Sequence, residues 1–128
     1  LDPVKLADWL DEIGEKRDGK VFNRLSGRAI GAIMPMHAFG HPVQLDELLA
    51  IAEKWGLPLV EDAAESLGSF YKGRHTGTIS GIAALSFNGN KTVTTGGGGA
   101  LLIRDPELAK NAKHLTTTAK KPHAYRFI

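Results

Sequence analysis

Residues 86–99 read SFNGNKTVTTGGGG. Lys91 stands there between an apolar run and four consecutive glycines, among small hydroxyl-bearing residues and with no charged neighbour. An amine is nucleophilic only when neutral, and a sequence setting without an adjacent acid is compatible with that need. A second reactive group lies upstream, where Glu61, Asp62 and Glu65 follow the apolar run LPLV. Ser86 falls at the end of a third apolar run, GIAALSF. Ligands of open α/β sheets gather at the carboxyl ends of strands. If these two strand ends are neighbours, a carboxylate, a hydroxyl and an amine face one crevice. Each residue also has a simpler reading taken alone. Asp62 would cap a turn, Ser86 would bond backbone, Lys91 would be solvated, and the glycines would form a tight turn at a cost in backbone entropy.

The elements that must position these groups are legible in outline. DPVKLADWLDEI (2–13) reads as a helix capped by Asp2, with Leu6, Trp9, Leu10 and Ile13 on one face. GEKRDGK reads as a polar loop, and VFNRLSGRAIGAIMPM as two strands around Ser26-Gly27, the second ending at Pro35. VQLDELLAIAEKW reads as a helix stopped by Gly56. LPLV (57–60), GIAALSF and ALLI (100–103) read as strands, and ESLGSFYKGRHTGTIS as a polar loop. Asp105-Pro106-Glu107 open a third helix with Leu108, Ala112 and Leu115 inward. This order predicts an α/β fold with a mainly parallel sheet.

Composition narrows the function classes. The 128 residues suit one modest domain, with 42% apolar and 23% charged residues. A net charge of +2 is too small to argue for nucleic acid or a membrane surface. There is no cysteine, hence no disulfide, thiolate metal site or cysteine nucleophile. That fits a reducing compartment, and the expected location is the cytoplasm. No apolar run approaches the roughly 18 residues of a membrane span. The opening on Leu1 and the ending AYRFI suggest a piece of a longer protein. Other motifs fail on detail. A Walker loop needs Gly before its Lys, where Asn90 stands, and a dinucleotide fingerprint needs its glycines before the acid. His37 and His41 have the spacing of helical metal ligands, but Gly40 and Pro42 break any helix there, and no metal is expected.

The stretches VEDAAESLGSFYKGRHTGTISG, ALSFNGNK and TTGGGGALL, with MPMHAFGHPVQLDEL upstream, cover most of residues 28–118. Together they resemble the sugar-nucleotide aminotransferases of the DegT/DnrJ/StrS family, which use pyridoxal 5'-phosphate. Within it they are most similar to the branch that aminates keto-sugars on the way to nonulosonic acids such as legionaminic acid. The resemblance implies the central part of the large domain of a fold-type I transferase, with residues 1–128 an incomplete cofactor-binding domain. The amino-terminal part and the carboxyl-terminal small domain would lie outside it. It implies Lys91 as the Schiff-base lysine, Asp62 as the partner of the pyridine nitrogen, and Ser86 as a phosphate ligand. Glu65 falls where the family has Gln or His beside the cofactor's 3-hydroxyl, and Gly97 replaces a usual Glu; both are departures. The resemblance further implies a nucleotide-sugar substrate, an amino donor such as glutamate, and a homodimer with a shared site. Two competing readings are a sugar dehydratase relative, which would carry histidine in place of Lys91, and a nonenzymatic phosphate- or nucleotide-binding α/β module.

Overall fold

The computed structural model describes residues 1–117 and 119. The first helix, α1 (Pro3–Ile13), starts as its residues dictate: Asp2 Oδ1 accepts from the amides of Val4 (2.9 Å) and Lys5 (3.2 Å). Leu10 and Ile13 are buried, but Trp9 is 45% exposed, so the apolar face is narrower than the spacing predicts. Gly14 follows the helix because a β-carbon there would meet Leu10 O and the Trp55 ring at 2.5 Å.

GEKRDGK is not a loop. It holds strand β1 (Gly14–Arg17) and the start of β2 (Lys20–Asn23), an antiparallel hairpin with Arg17 opposite Lys20. The two connecting residues, Asp18 (φ 51°) and Gly19 (φ 71°), both take positive φ, the requirement of a primed two-residue turn. β3 (Ala29–Ile30) adds antiparallel to β2. The chain then runs extended, with Ile33 and Met36 bridging in parallel to Leu59 and Asp62, before a 3-10 turn at Ala38–Gly40.

Helix α2 (Leu45–Trp55) buries Leu45, Leu48, Ala52 and Trp55 and ends at Gly56 in the left-handed conformation (φ 70°). These residues, with Leu10, Val21, Ile33, Leu57, Leu59 and Ile79, form the core. β4 (Glu61–Asp62) places the two carboxylates inside the strand pairing rather than after it. The stretch read as one polar loop contains a second small hairpin, β5 (Phe70–Tyr71) and β6 (Arg74–His75). β7 (Ile82–Ser86) and β8 (Gly99–Ile103) follow, and the central sheet has the order β4-β7-β8. It is a mixed sheet: β4 and β7 are parallel, β7 and β8 antiparallel.

Helix α3 (Pro106–Thr116) is capped by Asp105, whose Oδ1 accepts from the Leu108 amide at 2.7 Å. Its expected inward face is corrected: Leu108 and Leu115 are 40% and 69% exposed, and only Ala109 and Ala112 are partly covered. Those small residues line an apolar groove against Ala84, Ala100 and Leu101, and no described element fills it. No helix among the described residues is long and apolar enough to cross a membrane.

Candidate active site

Parallel pairing of β4 with β7 sets Asp62 beside Ala84 and Glu61 beside Ala83. Side chains alternate between faces along a strand. Asp62, Ala84 and Ser86 therefore share one face, while Glu61 and Ala83 point into the core, where both are fully buried. The two strand ends are neighbours, as the chemistry of the sequence requires.

Asp62 is half-buried. Its Oδ1 accepts from the Ala64 amide at 3.1 Å, closing a local turn, and its Oδ2 takes no hydrogen bond from the described residues. The simple cap and the available carboxylate oxygen thus coexist. Ser86 Oγ accepts from the Asn88 amide at 3.4 Å, so its own proton remains free to donate. Lys91 lies beyond β7 in a turn whose amide bonds Asn88 O at 3.0 Å.

The Lys91 side chain is only 18% exposed, and Nζ lies 3.5 Å from Glu65 Oε1. The fold supplies the acid missing from the sequence neighbourhood, so the expectation of an amine with no acidic neighbour is corrected: a carboxylate this close favours the charged form of an amine. Glu65 Oε2 accepts from the Phe39 amide at 2.8 Å. That hydrogen bond, chiefly, and the Lys91 charge hold the Glu65 carboxyl below the usual range, against the opposing effect of desolvation.

The glycine run has a reason inside the chain. Gly96 and Gly98 take φ of 83° and 113°, and a β-carbon on Gly99 would meet Leu85 O at 2.5 Å. Gly97 faces open space, so the glutamate usual in the family is not excluded there by packing.

One buried constellation was missed. Glu61 Oε1 accepts from the Ile79 amide (2.9 Å), the Ser80 amide (2.7 Å) and Ser80 Oγ (2.9 Å); Oε2 accepts from the Gly77 amide (2.6 Å) and faces His37 Nε2 at 3.1 Å. Burial raises the carboxyl's pKa, but these hydrogen bonds, led by His37, outweigh it and hold the group at about 2. His37 Nδ1 accepts from the Val43 amide at 3.2 Å, so both ring nitrogens are engaged. Nothing in the sequence distinguishes Glu61 from Asp62 except strand alternation. Among the described residues no group of three His, Cys, Asp or Glu side chains could hold a metal.

The profile of the DegT/DnrJ/EryC1/StrS aminotransferase family matches residues 19–127. The chain is 40% identical over 91 residues to EpsN of Bacillus subtilis strain 168, assigned as a pyridoxal phosphate-dependent aminotransferase, covering 71% of this chain and 24% of EpsN. It is 42% identical over 83 residues to GDP-perosamine synthase of Escherichia coli O157:H7, covering 65% and 23%. Its fold superposes on the crystal structure of S. venezuelae DesV in complex with a ketimine intermediate with a TM-score of 0.75 and 32% identity, covering 98% of this chain and 30% of DesV. The chain thus spans about a quarter of the length of the curated relatives it matches. A family match over residues 19–127, most of the chain, places the chain in the DegT/DnrJ/EryC1/StrS aminotransferase family.

Proposed function

We propose that the protein to which this chain belongs is a pyridoxal phosphate-dependent aminotransferase that transfers an amino group, with glutamate as donor, to a nucleotide-linked keto-sugar. The observation that supports this reading best is the pairing of β4 with β7, which brings Asp62 and the approach to Lys91 to adjacent strand ends. The donor set suits the cofactor: a sheltered amine, a carboxylate with one uncommitted oxygen, and a serine with a free proton. When bound, pyridoxal phosphate supplies an electron sink for the donor's α-carbon.

This chain's residues then have distinct tasks. Lys91 Nζ would hold the cofactor covalently and would move a proton at the donor's α-carbon. Asp62 Oδ2 keeps the ring nitrogen protonated, because an adjacent carboxylate favours the charged form. The Ser86 hydroxyl donates to a phosphate oxygen. Glu65, fixed by the Phe39 amide, holds the Lys91 amine in place and would face the cofactor's 3-hydroxyl as the motif resemblance implies.

The finer assignments follow the motif resemblance. Residues 1–128 are the middle of the large domain, the working unit is a homodimer in the cytoplasm, and the acceptor belongs to a nonulosonic acid or cell-surface polysaccharide route. The dehydratase reading is disfavoured by the lysine at position 91, and the simple binding-module reading by a sheltered amine that phosphate binding alone does not need. Borohydride reduction of the full-length protein with pyridoxal phosphate, followed by peptide mapping, tests the core of the proposal. The cofactor should be recovered on the Lys91 peptide. Recovery on no lysine, or on another one, refutes it. A panel of nucleotide-linked keto-sugars with glutamate then tests the acceptor and donor.

A further inference from the structure

We propose that His37 and Glu61 are a buried positioning pair for the candidate site. They hold the strand end that carries Asp62 and the turn whose Phe39 amide fixes Glu65 opposite Lys91. The inference rests on the assignment of Asp62 and Lys91 above.

Both side chains are fully buried. Glu61 receives three amides and the His37 ring, with the Ser80 hydroxyl, whose single proton also reaches Ile82 O, beside it. The Val43 amide points at His37 Nδ1, so the proton sits on Nε2 and is donated to Glu61. His37 grips the strand end twice. Its ring bonds Glu61, and its backbone amide donates to Asp62 O at 3.0 Å. Asp62 in turn donates its amide to Pro35 O at 2.9 Å. The orientation of Asp62 is therefore set from both sides by residues 35–37.

The same histidine opens the turn that reaches the amine. Gly40 N donates to His37 O at 3.1 Å, and His41 N to Ala38 O at 3.0 Å. Between them Phe39 takes φ 53°, a left-handed conformation that is unfavourable for a bulky side chain. Its ring is 91% exposed, so packing does not hold it there. What holds it is the anchored His37 on one side and the hydrogen bond that its amide donates to Glu65 on the other. Strain maintained by surrounding structure clusters at functional sites. Removing Glu61 would leave the amides of Gly77, Ile79 and Ser80 without an acceptor, so the pair serves the core as well as the site. Its bearing on the site is the geometry it fixes at Asp62 and Glu65.

Half-mimics separate the contacts in the full-length protein. His37→Asn retains an acceptor for Val43 but loses the donor to Glu61. His37→Gln retains a donor toward Glu61 but loses the acceptor. Glu61→Gln removes the charge, and Leu48→Ala, a core change, serves as a control for general destabilisation. The readouts are amide hydrogen exchange at Gly77, Ile79 and Ser80 and the Tm of the apoprotein, then the dissociation constant and absorption maximum with pyridoxal phosphate. Glu61→Gln and His37→Asn should each speed exchange at the three amides, weaken cofactor binding at least tenfold and shift the absorption band. His37→Gln should recover part of each effect, and Leu48→Ala should lower Tm alone. The positioning role is overturned if the His37 variants behave like Leu48→Ala, a comparison that stands even if Glu61→Gln does not fold. Failure of the unmodified protein to trap the cofactor on Lys91 overturns the site itself, and is a different result.

Discussion

Glu61 makes a measurable demand on pH. A carboxyl held at about 2 instead of the ordinary 4.5 is ionised in the fold when it would be protonated in the unfolded chain. Its folded value is depressed, so its contribution is fully present above about pH 5 and is lost as pH falls toward 2. The difference corresponds to about 3 kcal/mol, of which about 2 kcal/mol is gone by pH 3. Glu61→Gln removes this dependence. It also turns an amide N–H₂ toward donors at Gly77, Ile79 or Ser80, leaving them without an acceptor. Urea denaturation of both full-length proteins at intervals from pH 7 to 3 isolates the effect, because the other carboxylates titrate alike in each. The stability gap should be about 3 kcal/mol or more near neutrality and should narrow steadily below pH 5. A gap that stays constant to pH 3 would mean that Glu61 is not held as a buried anion, and the account of the clamp would be wrong.

Lys91→Ala should abolish borohydride trapping and turnover while leaving noncovalent cofactor binding measurable by dialysis. Asp62→Asn should still allow trapping on Lys91 but lower kcat by roughly a thousandfold, about 4 kcal/mol of transition-state stabilisation, in a single-turnover assay. Gly56→Ala meets no neighbouring atom, so its cost should be the left-handed backbone alone, about 1 kcal/mol in urea denaturation. Lys72→Ala, which removes an exposed ion pair with Asp46 in the β5–β6 turn, should leave activity unchanged in the same kinetic assay.

What the sequence made legible follows from how local each signal is. α2 was readable to within two residues because apolar spacing and Gly56 lie within one contiguous stretch. The hairpin of β1 and β2 was obscured because its residues are charged and its apolar content is low, although Asp18-Gly19 is a strong turn signal. The face of α3 was misassigned because an apolar stripe says which side can be covered, not whether this chain covers it. In the site, Asp62, Ser86 and Lys91 were found as strand ends, but their adjacency depends on a parallel pairing that no local pattern encodes. The Glu65–Lys91 contact joins residues 26 apart in the chain, so a search for charges beside Lys91 in sequence could not have found it.

Glu61 and Asp62 are chemically near-identical neighbours, and the fold gives them opposite work. Strand alternation turns one into the core and the other toward the sheet face shared with Ser86. The inward carboxylate is occupied by three amides and the His37 ring, with the Ser80 hydroxyl also against it, and is enclosed away from any ligand. The outward one uses a single oxygen locally and leaves the other uncommitted. A one-residue slip of β4 against β7 would exchange the two, burying Asp62 and presenting Glu61 one methylene too far out. The Glu61 clamp opposes that slip, because only a side chain of its length in the present register reaches the amides of Gly77, Ile79 and Ser80 together. The buried acid thereby fixes which acid is available for chemistry.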